Sequence, residues 1–147
     1  MEYFFYHHES STLESTLPQF LEKCIKKNWR ALIKTQVDHL VELEDFLWTF
    51  KADSFLPHGR DDQPRAHHHP IVLSSSAKTA DNFQVVFLLA GSDIKRLNGV
   101  ERCIVFIDGR SDQSIINERS RWKKLKAKGE KLNFYQQNSS GAWVKKV

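Results

Sequence analysis

The sequence has few cysteines and no apolar run long enough to cross a membrane. Its two cysteines, Cys24 and Cys103, are far apart, and each lies in an apolar stretch. This pattern predicts two buried thiols in a reduced cytoplasmic protein rather than a disulfide-bonded secreted domain. No stretch approaches the ~20 apolar residues of a membrane helix. The first eight residues contain neither a basic leader nor a small-residue cleavage site, so we expect no secretory signal peptide.

The motifs of common enzyme classes are also lacking. No glycine-rich phosphate loop follows the predicted first strand, and no Gly-x-Ser-x-Gly elbow is present. The run His67-His68-His69 has no acidic or cysteine partner at metal-ligand spacing, and adjacent side chains point in different directions. Asp108 ends a predicted strand, where a catalytic carboxylate could lie, but an Asp before Gly109 is more typical of a turn. We therefore predict no catalytic residue, no metal and no cofactor.

The charge is unevenly distributed along the chain. Residues 1–50 carry five Lys/Arg and eight Asp/Glu, and residues 51–116 carry eight of each. Residues 117–147 carry nine Lys/Arg and only two Glu, so the basic excess lies at the C-terminal end. Such asymmetry suggests an acidic partner, either a nucleic acid or an acidic peptide. The alternative is a solvated helix face with no partner.

Strand and helix patterns alternate along the 147 residues, of which 40% are apolar. Periodicity and turn signals predict strands at 3–7, 30–34, 71–73, 83–89, 103–107, 132–136 and 142–144. They predict helices at 13–24, 37–50, 92–97 and 112–128, and a long loop at 53–70. Pro18 leaves the start of the first helix open. The alternation predicts one domain over residues 1–147, a three-layer α/β sandwich with a mostly parallel mixed sheet.

The last predicted helix carries the best local signal for a binding site. Arg119, Trp122 and Lys123 are spaced i, i+3, i+4 and so share one face. Ile116 lies about one turn earlier and Lys126 one turn beyond Trp122. An aromatic plate flanked by cations suits a peptide that ends in an apolar residue and a free carboxylate. It is equally suited to stacking a base beside a phosphate, and the alternative is that Trp122 belongs to the core.

A second constellation follows the helix at 37–50. Three aromatic residues lie close together in the sequence at the end of this helix and in the loop after it. They belong to the blocks Leu47-Trp48-Thr49-Phe50 and Ser54-Phe55-Leu56-Pro57-His58-Gly59. Large apolar residues in a loop often mark a protein interface. The alternative is that Trp48 and Phe55 close the end of the core.

Together these motifs resemble the chi subunit family of bacterial DNA polymerase III, in the style of its alphaproteobacterial members. The resemblance runs nearly the whole length of the chain. It rests on Phe5-Tyr6-His7, the Leu47–Phe50 and Ser54–Gly59 blocks, Val105-Phe106-Ile107-Asp108-Gly109, Arg119, Trp122-Lys123, Gly129, Phe134-Tyr135-Gln136-Gln137 and Gly141-Ala142-Trp143. No single motif decides the matter, but their order and spacing are specific.

The resemblance implies a non-catalytic subunit with a Rossmann-like fold that lacks a nucleotide site. It also implies two partners, which are the psi subunit of the clamp loader and the acidic C-terminal tail of single-stranded DNA-binding protein. That tail ends in an apolar residue and a carboxylate. The residues that the resemblance assigns to the tail are Arg119, Trp122, Lys123, Ile116 and Lys126. Those that it assigns to psi are Trp48, Phe55 and Leu56.

The sequence therefore predicts a cytoplasmic adaptor of the replisome that contacts DNA mostly indirectly. The rival hypothesis is a direct single-stranded nucleic-acid-binding protein that uses the basic C-terminal segment and Trp122. The sequence departs from the family pattern at two places. Ile115 stands where some members have a basic residue, and the loop at 60–70 has no recognisable counterpart. Relatives of the alphaproteobacterial style often lack an easily recognised psi subunit.

Overall fold

The structure, a computed structural model, describes residues 1–9, 11–49, 58–61, 69–97 and 99–147. The described residues form three helices and eight strands. The helices are α1 (Leu13–Lys26), α2 (Val37–Thr49) and α3 (Asp112–Ala127). The strands are β1 (Glu2–His8), β2 (Ala31–Lys34), β3 (His58–Arg60), β4 (Ile71–Ser74), β5 (Val85–Leu88), β6 (Arg102–Asp108), β7 (Lys131–Gln137) and β8 (Trp143–Lys145).

The strands form one sheet in the order β3-β4-β2-β5-β6-β1-β7-β8. All neighbours run parallel except β7 and β8, which are antiparallel. Strand β1 lies between β6 and β7, and Tyr6 stands opposite Phe106 on one side and Tyr135 on the other. Parallel neighbours need crossover connections that cover the sheet faces. The predicted mostly parallel mixed sheet is confirmed.

The two faces of the sheet carry two separate cores, because alternate residues of a strand point to opposite faces. Phe4 and Tyr6 of β1 pack on the side of α1 and α2, whereas Tyr3 and Phe5 pack on the side of α3. The helical residues of the first core are Leu17, Leu21, Cys24, Leu40, Leu43 and Leu47. Those packed on the second are Ile115, Trp122 and Leu125. The three-layer architecture is thus confirmed.

Helix α1 begins with a capping box, which places its start after Thr12. The Thr12 Oγ1 accepts the backbone N–H of Ser15 at 3.2 Å, and the Ser15 Oγ accepts the backbone N–H of Thr12 at 3.1 Å. A cap of this kind stabilises a helix by about 1 kcal/mol. Pro18 lies inside α1, where it has no N–H to donate. The cap and the full burial of Leu17 and Leu21 outweigh this loss, so the helix starts at Leu13.

The prediction of an uninterrupted loop at 53–70 was wrong, because β3 lies within it. His58–Arg60 pairs in parallel with Ile71–Leu73 of β4. Pro57 and Gly59 are local turn signals, and three residues are too few to show a strand period. The strand exists because the edge of β4 offers hydrogen-bond partners, which is a tertiary effect.

The predicted helix at 92–97 is also absent from the structure. The backbone of this segment pairs instead with a distant one. The Arg96 N–H donates to the Lys78 carbonyl at 3.3 Å, and the Arg96 carbonyl accepts the Ala80 N–H at 3.1 Å. These bonds form a parallel bridge between Thr79 and Arg96. Long-range pairing has therefore replaced the local helix that Ser92 and the following residues favour.

The side chains of β5 are almost fully buried, because this apolar strand is covered on both faces. The predicted burial of the two cysteines is confirmed. Cys24 and Cys103 are free, buried thiols. Burial raises the pKa of Cys24 to about 11 and that of Cys103 to about 12, so both remain unreactive thiols at neutral pH. Within the described part of the chain, no helix combines the length and apolar character that a bilayer span requires.

Gln137 joins the loop between β1 and α1 to the hairpin of β7 and β8. Its buried side-chain carbonyl accepts the backbone N–H of Glu9 at 3.1 Å and that of Ser11 at 3.0 Å. Its amide nitrogen donates to the Gly141 carbonyl at 3.1 Å. These bonds satisfy backbone groups for which the short loop has no internal partner.

We predict that Gln137→Leu lowers the free energy of unfolding by about 2 to 4 kcal/mol, because two backbone donors lose their acceptor at nearly constant volume. The neighbouring Gln136→Leu is the matched control, since the Gln136 amide donates to the exposed carboxylate of Glu9 at 3.0 Å. Denaturant titration of both variants measures the difference. Equal losses in the two variants would contradict this role of Gln137.

Candidate functional site

Helix α3 is held at both ends by local hydrogen bonds. Ser111 caps its start, where the Ser111 Oγ accepts the backbone N–H of Ser114 at 3.2 Å. The Ser114 Oγ accepts the backbone N–H of Asp108 at 3.0 Å and so ties the first turn to the end of β6. Gly129 follows the last turn with a φ of 77°, a left-handed conformation that glycine adopts without strain. The predicted helix over 112–128 is therefore confirmed to within one residue at its end.

Trp122 fixes the middle of α3 on the sheet. Its ring centroid lies 5.1 Å from that of Phe5 at an interplanar angle of 73°, and 5.9 Å from that of Phe134 at 89°. Both are edge-to-face contacts, each worth about 0.5–1.5 kcal/mol beyond the area buried. Trp122 nevertheless remains only partly buried. It therefore belongs to the core and also presents part of its surface beside the helix.

A small cavity of about 240 Å³ opens beside this exposed part of Trp122. Its lining is mostly apolar and comes from β1, β6, β7, α3 and the last residue of the sequence. The lining residues are Phe5, Ile107, Glu118, Arg119, Trp122, Lys123, Phe134 and Val147. Arg119 and Lys123 are exposed, so their charged groups lie at the mouth of the cavity and its apolar surface lies below them.

One acidic residue of the lining is neutralised by an ion pair inside the protein. Glu118 is only 2% exposed, and burial raises the pKa of its carboxyl against the opposing charge of Arg121. The Arg121 Nε lies 2.8 Å from the Glu118 Oε2, in a geometry that pairs the charges without an aligned hydrogen bond. The Arg121 Nη2 donates to the Ser92 carbonyl at 2.6 Å. The wall of the cavity therefore presents no unbalanced negative charge to a ligand.

The structure brings together three of the five residues that the sequence assigns to this site. Arg119, Trp122 and Lys123 line the cavity. Ile116, which is 60% exposed, and Lys126 lie on the same helix, but they do not line the cavity.

The second predicted constellation falls largely outside the described residues. Trp48 belongs to α2 by its backbone, but its side chain is among the parts that the structure does not describe. Phe55 and Leu56 lie outside the described residues altogether. Their assignment to a docking surface stays a prediction.

Sequence reasoning missed the floor of the cavity. Phe5 and Phe134 lie on β1 and β7, and the two strands are neighbours that place these residues opposite each other. No local pattern joins residues 129 positions apart, so only the strand order could have revealed them. Glu118 was more accessible to prediction, because it lies four residues before Trp122 and so shares its face of the helix.

The arrangement is chemically suited to binding. No group of three potential metal ligands occurs among the described residues, and His67 and His68 lie outside them. Asp108 accepts the backbone N–H of Arg110 at 3.0 Å, which confirms that it organises a turn. An apolar slot with two exposed cations at its mouth can hold an apolar group that carries an anionic end.

Comparison with known proteins identifies the family. The family described as DNA polymerase III chi subunit, HolC, matches residues 1–133. The protein named "Probable DNA polymerase III subunit chi" from Rickettsia prowazekii (strain Madrid E) is 24% identical over 146 residues. The alignment covers 95% of this chain and 88% of the Rickettsia protein. The match to the family over residues 1–133 shows that this chain belongs to the chi subunit family of DNA polymerase III.

Proposed function

We propose that this member of the chi family is a non-catalytic adaptor that links the clamp loader to single-stranded DNA-binding protein. Family membership supports an accessory role in DNA replication as part of DNA polymerase III. The observation that carries the finer proposal is the apolar cavity of α3 with Arg119 and Lys123 at its mouth. An adaptor of this kind raises the local concentration of the polymerase at coated template without any chemical step.

The cavity fits the end of an acidic tail better than a nucleic acid strand. Its 240 Å³ and apolar lining suit one terminal apolar side chain, which would pack against the partly buried Trp122 and Phe134. The terminal carboxylate would then lie at the mouth, within reach of Arg119 and Lys123. Charge-assisted bonds to a carboxylate are roughly twice as strong as neutral ones. Acidic residues further up the tail would meet the positive field of α3, which carries five cationic and two acidic residues.

The same basic surface supports the rival function, direct binding of single-stranded DNA. A basic strip and a partly exposed tryptophan are features of single-strand binding surfaces. Stacking of successive bases, however, needs aromatic faces that are open to solvent. Trp122 is the aromatic residue of α3, and it is partly buried by its contacts with Phe5 and Phe134. This favours a pocket for one terminal group over a stacking platform.

We predict that Arg119→Glu and Lys123→Glu each weaken binding of a synthetic acidic peptide with an apolar last residue and a free carboxylate by about tenfold or more. Each reversal removes a favourable charge and adds a repulsive one at the mouth of the cavity. Lys124→Glu is the matched control, because Lys124 is exposed on the same helix but does not line the cavity. Calorimetry with variants shown to be folded measures the affinities. If Lys124→Glu weakened binding as much as Lys123→Glu did, the attraction would be diffuse and the pocket would be refuted.

The clamp-loader side of the adaptor is proposed on Trp48, Phe55 and Leu56. Trp48→Ala or Phe55→Ala should weaken binding to the psi subunit or to a purified clamp-loader complex by about tenfold or more, because aromatic anchors dominate many interfaces. Tail-peptide binding should be unchanged, which also shows that the variants fold. Val41→Ala is the control, since Val41 is an apolar residue of α2 that is 54% exposed. Normal clamp-loader binding by folded Trp48→Ala and Phe55→Ala variants would disprove this assignment.

A further inference from the structure

The wall of the cavity on α3 contains a buried oxygen that can still accept a hydrogen bond. Glu118 lines this cavity and is 2% exposed, and its Oε2 has no hydrogen-bond donor among the described residues. Buried polar atoms of the same kind in His7 and Ser92 belong to residues outside the lining. A buried acceptor that stays unsatisfied is unfavourable, so a ligand that supplies a donor is favoured.

The guanidinium of Arg121 pairs with the Glu118 carboxylate but does not use its full acceptor capacity. The Arg121 Nη2 donates to the Glu118 Oε1 at 3.4 Å, and the Nε lies 2.8 Å from Oε2 without the alignment of a hydrogen bond. Arg121 also directs donors to the Ser92 carbonyl at 2.6 Å and to the Asp93 Oδ1 at 3.4 Å. The pair therefore balances the charge of Glu118 and leaves Oε2 able to accept, since a carboxylate has about four lone-pair positions.

The charge of Arg121 also determines what kind of group Glu118 can bind. Burial raises the pKa of Glu118, and the guanidinium opposes this rise because it favours the ionised form. Arginine stays charged in proteins and offers only donors, so the carboxylate beside it acts as an acceptor. The free position on Oε2 therefore suits an N–H or O–H group of a ligand.

Glu118 lies beside the other two features of the cavity. It precedes Arg119 in the sequence and lies four residues, or about one helical turn, before Trp122. A cavity of about 240 Å³ thus combines an apolar surface, a cationic mouth and one buried acceptor. The last residue of a peptide carries three groups of matching chemistry on one Cα atom, which are an apolar side chain, a carboxylate and a backbone N–H.

We propose that Glu118 accepts the backbone N–H of the last residue of the bound peptide, and so selects a peptide end over apolar anions that lack a donor. This inference rests on the proposed function of the cavity. The terminal side chain packs beside Trp122 and Phe134, the carboxylate lies at Arg119 and Lys123, and the N–H donates to Oε2. A last residue without an N–H leaves the buried acceptor unsatisfied, and sites built around a hydrogen bond reject such analogues strongly.

A paired substitution in the protein locates the hydrogen bond. Glu118→Leu combined with Arg121→Met removes both charges at similar volume, which proteins often tolerate at buried ion pairs. This variant should bind a peptide with an ordinary last peptide bond and a peptide with an ester at that bond equally well. Asp93→Asn is the matched control, because it also removes a carboxylate that contacts Arg121, but Asp93 is exposed and does not line the cavity. The control variant should keep the preference of the unaltered chain.

That preference is measured on the unaltered full chain with two peptides of one acidic sequence, each ending in leucine with a free carboxylate. In the second peptide an ester replaces the last peptide bond, which removes the N–H and nearly preserves the shape. Calorimetry should show about tenfold weaker binding of the ester, because a hydrogen bond to a charged group is lost. The same ester placed one bond earlier is the control and should change the affinity by less than about threefold.

The outcomes separate this inference from the proposed function. Equal affinities of the ordinary peptide and its ester would overturn the role of Glu118 and leave the proposed function intact. No binding of either peptide would refute the proposed function, and the role of Glu118 with it. A preference that persists in the double variant, shown to be folded by circular dichroism, would place the N–H elsewhere and overturn the assignment. If the double variant does not fold, the ester comparison on the unaltered chain decides.

Discussion

The packing of Trp122 against Phe5 fixes the position of α3, and the proposed binding site depends on that position. Phe5 is fully buried in β1, whose two parallel neighbours hold it in place. Trp122 contacts the ring of Phe5 edge-to-face. It contacts the ring of Phe134, which lies on the neighbouring strand β7, in the same way. Because α3 is positioned by this contact, Arg119 and Lys123 lie at the mouth of a cavity instead of projecting from an isolated helix face.

A buried charge network also holds this helix in place. Glu118 and Arg121 form an ion pair within the protein, and Arg121 also holds the Ser92 carbonyl and the carboxylate of Asp93. Breaking a buried pair by removing one partner is costly, because an uncompensated charge remains. The pair therefore joins α3 to the segment after β5. It also keeps a carboxylate in the cavity wall from repelling an anionic ligand.

Much of the fold could be predicted from the sequence, because most elements carry strong local signals. The apolar run of β5, the cap of α1 at Thr12 and the end of α3 just before Gly129 all appear in the structure where local chemistry places them. The sequence-based predictions fail where pairing with a distant segment determines the local structure. The strand at His58–Arg60 exists through pairing with β4, and the segment around Arg96 pairs with Thr79. The same contrast holds for the candidate site. Helical spacing predicted Arg119, Trp122 and Lys123, but it could not reveal Phe5 or Phe134, which come from distant strands.

The central claim is that α3 presents a specific pocket for an apolar residue with a free carboxylate. Its most direct test compares one acidic peptide with a free C-terminal carboxylate, the same peptide with a C-terminal amide, and a single-stranded oligonucleotide. The three are titrated by calorimetry at one salt concentration. The account predicts that the amide binds about tenfold more weakly than the acid and that the oligonucleotide does not displace the acid. Equal affinity for the acid and the amide, or displacement of the acid by the oligonucleotide, would contradict it.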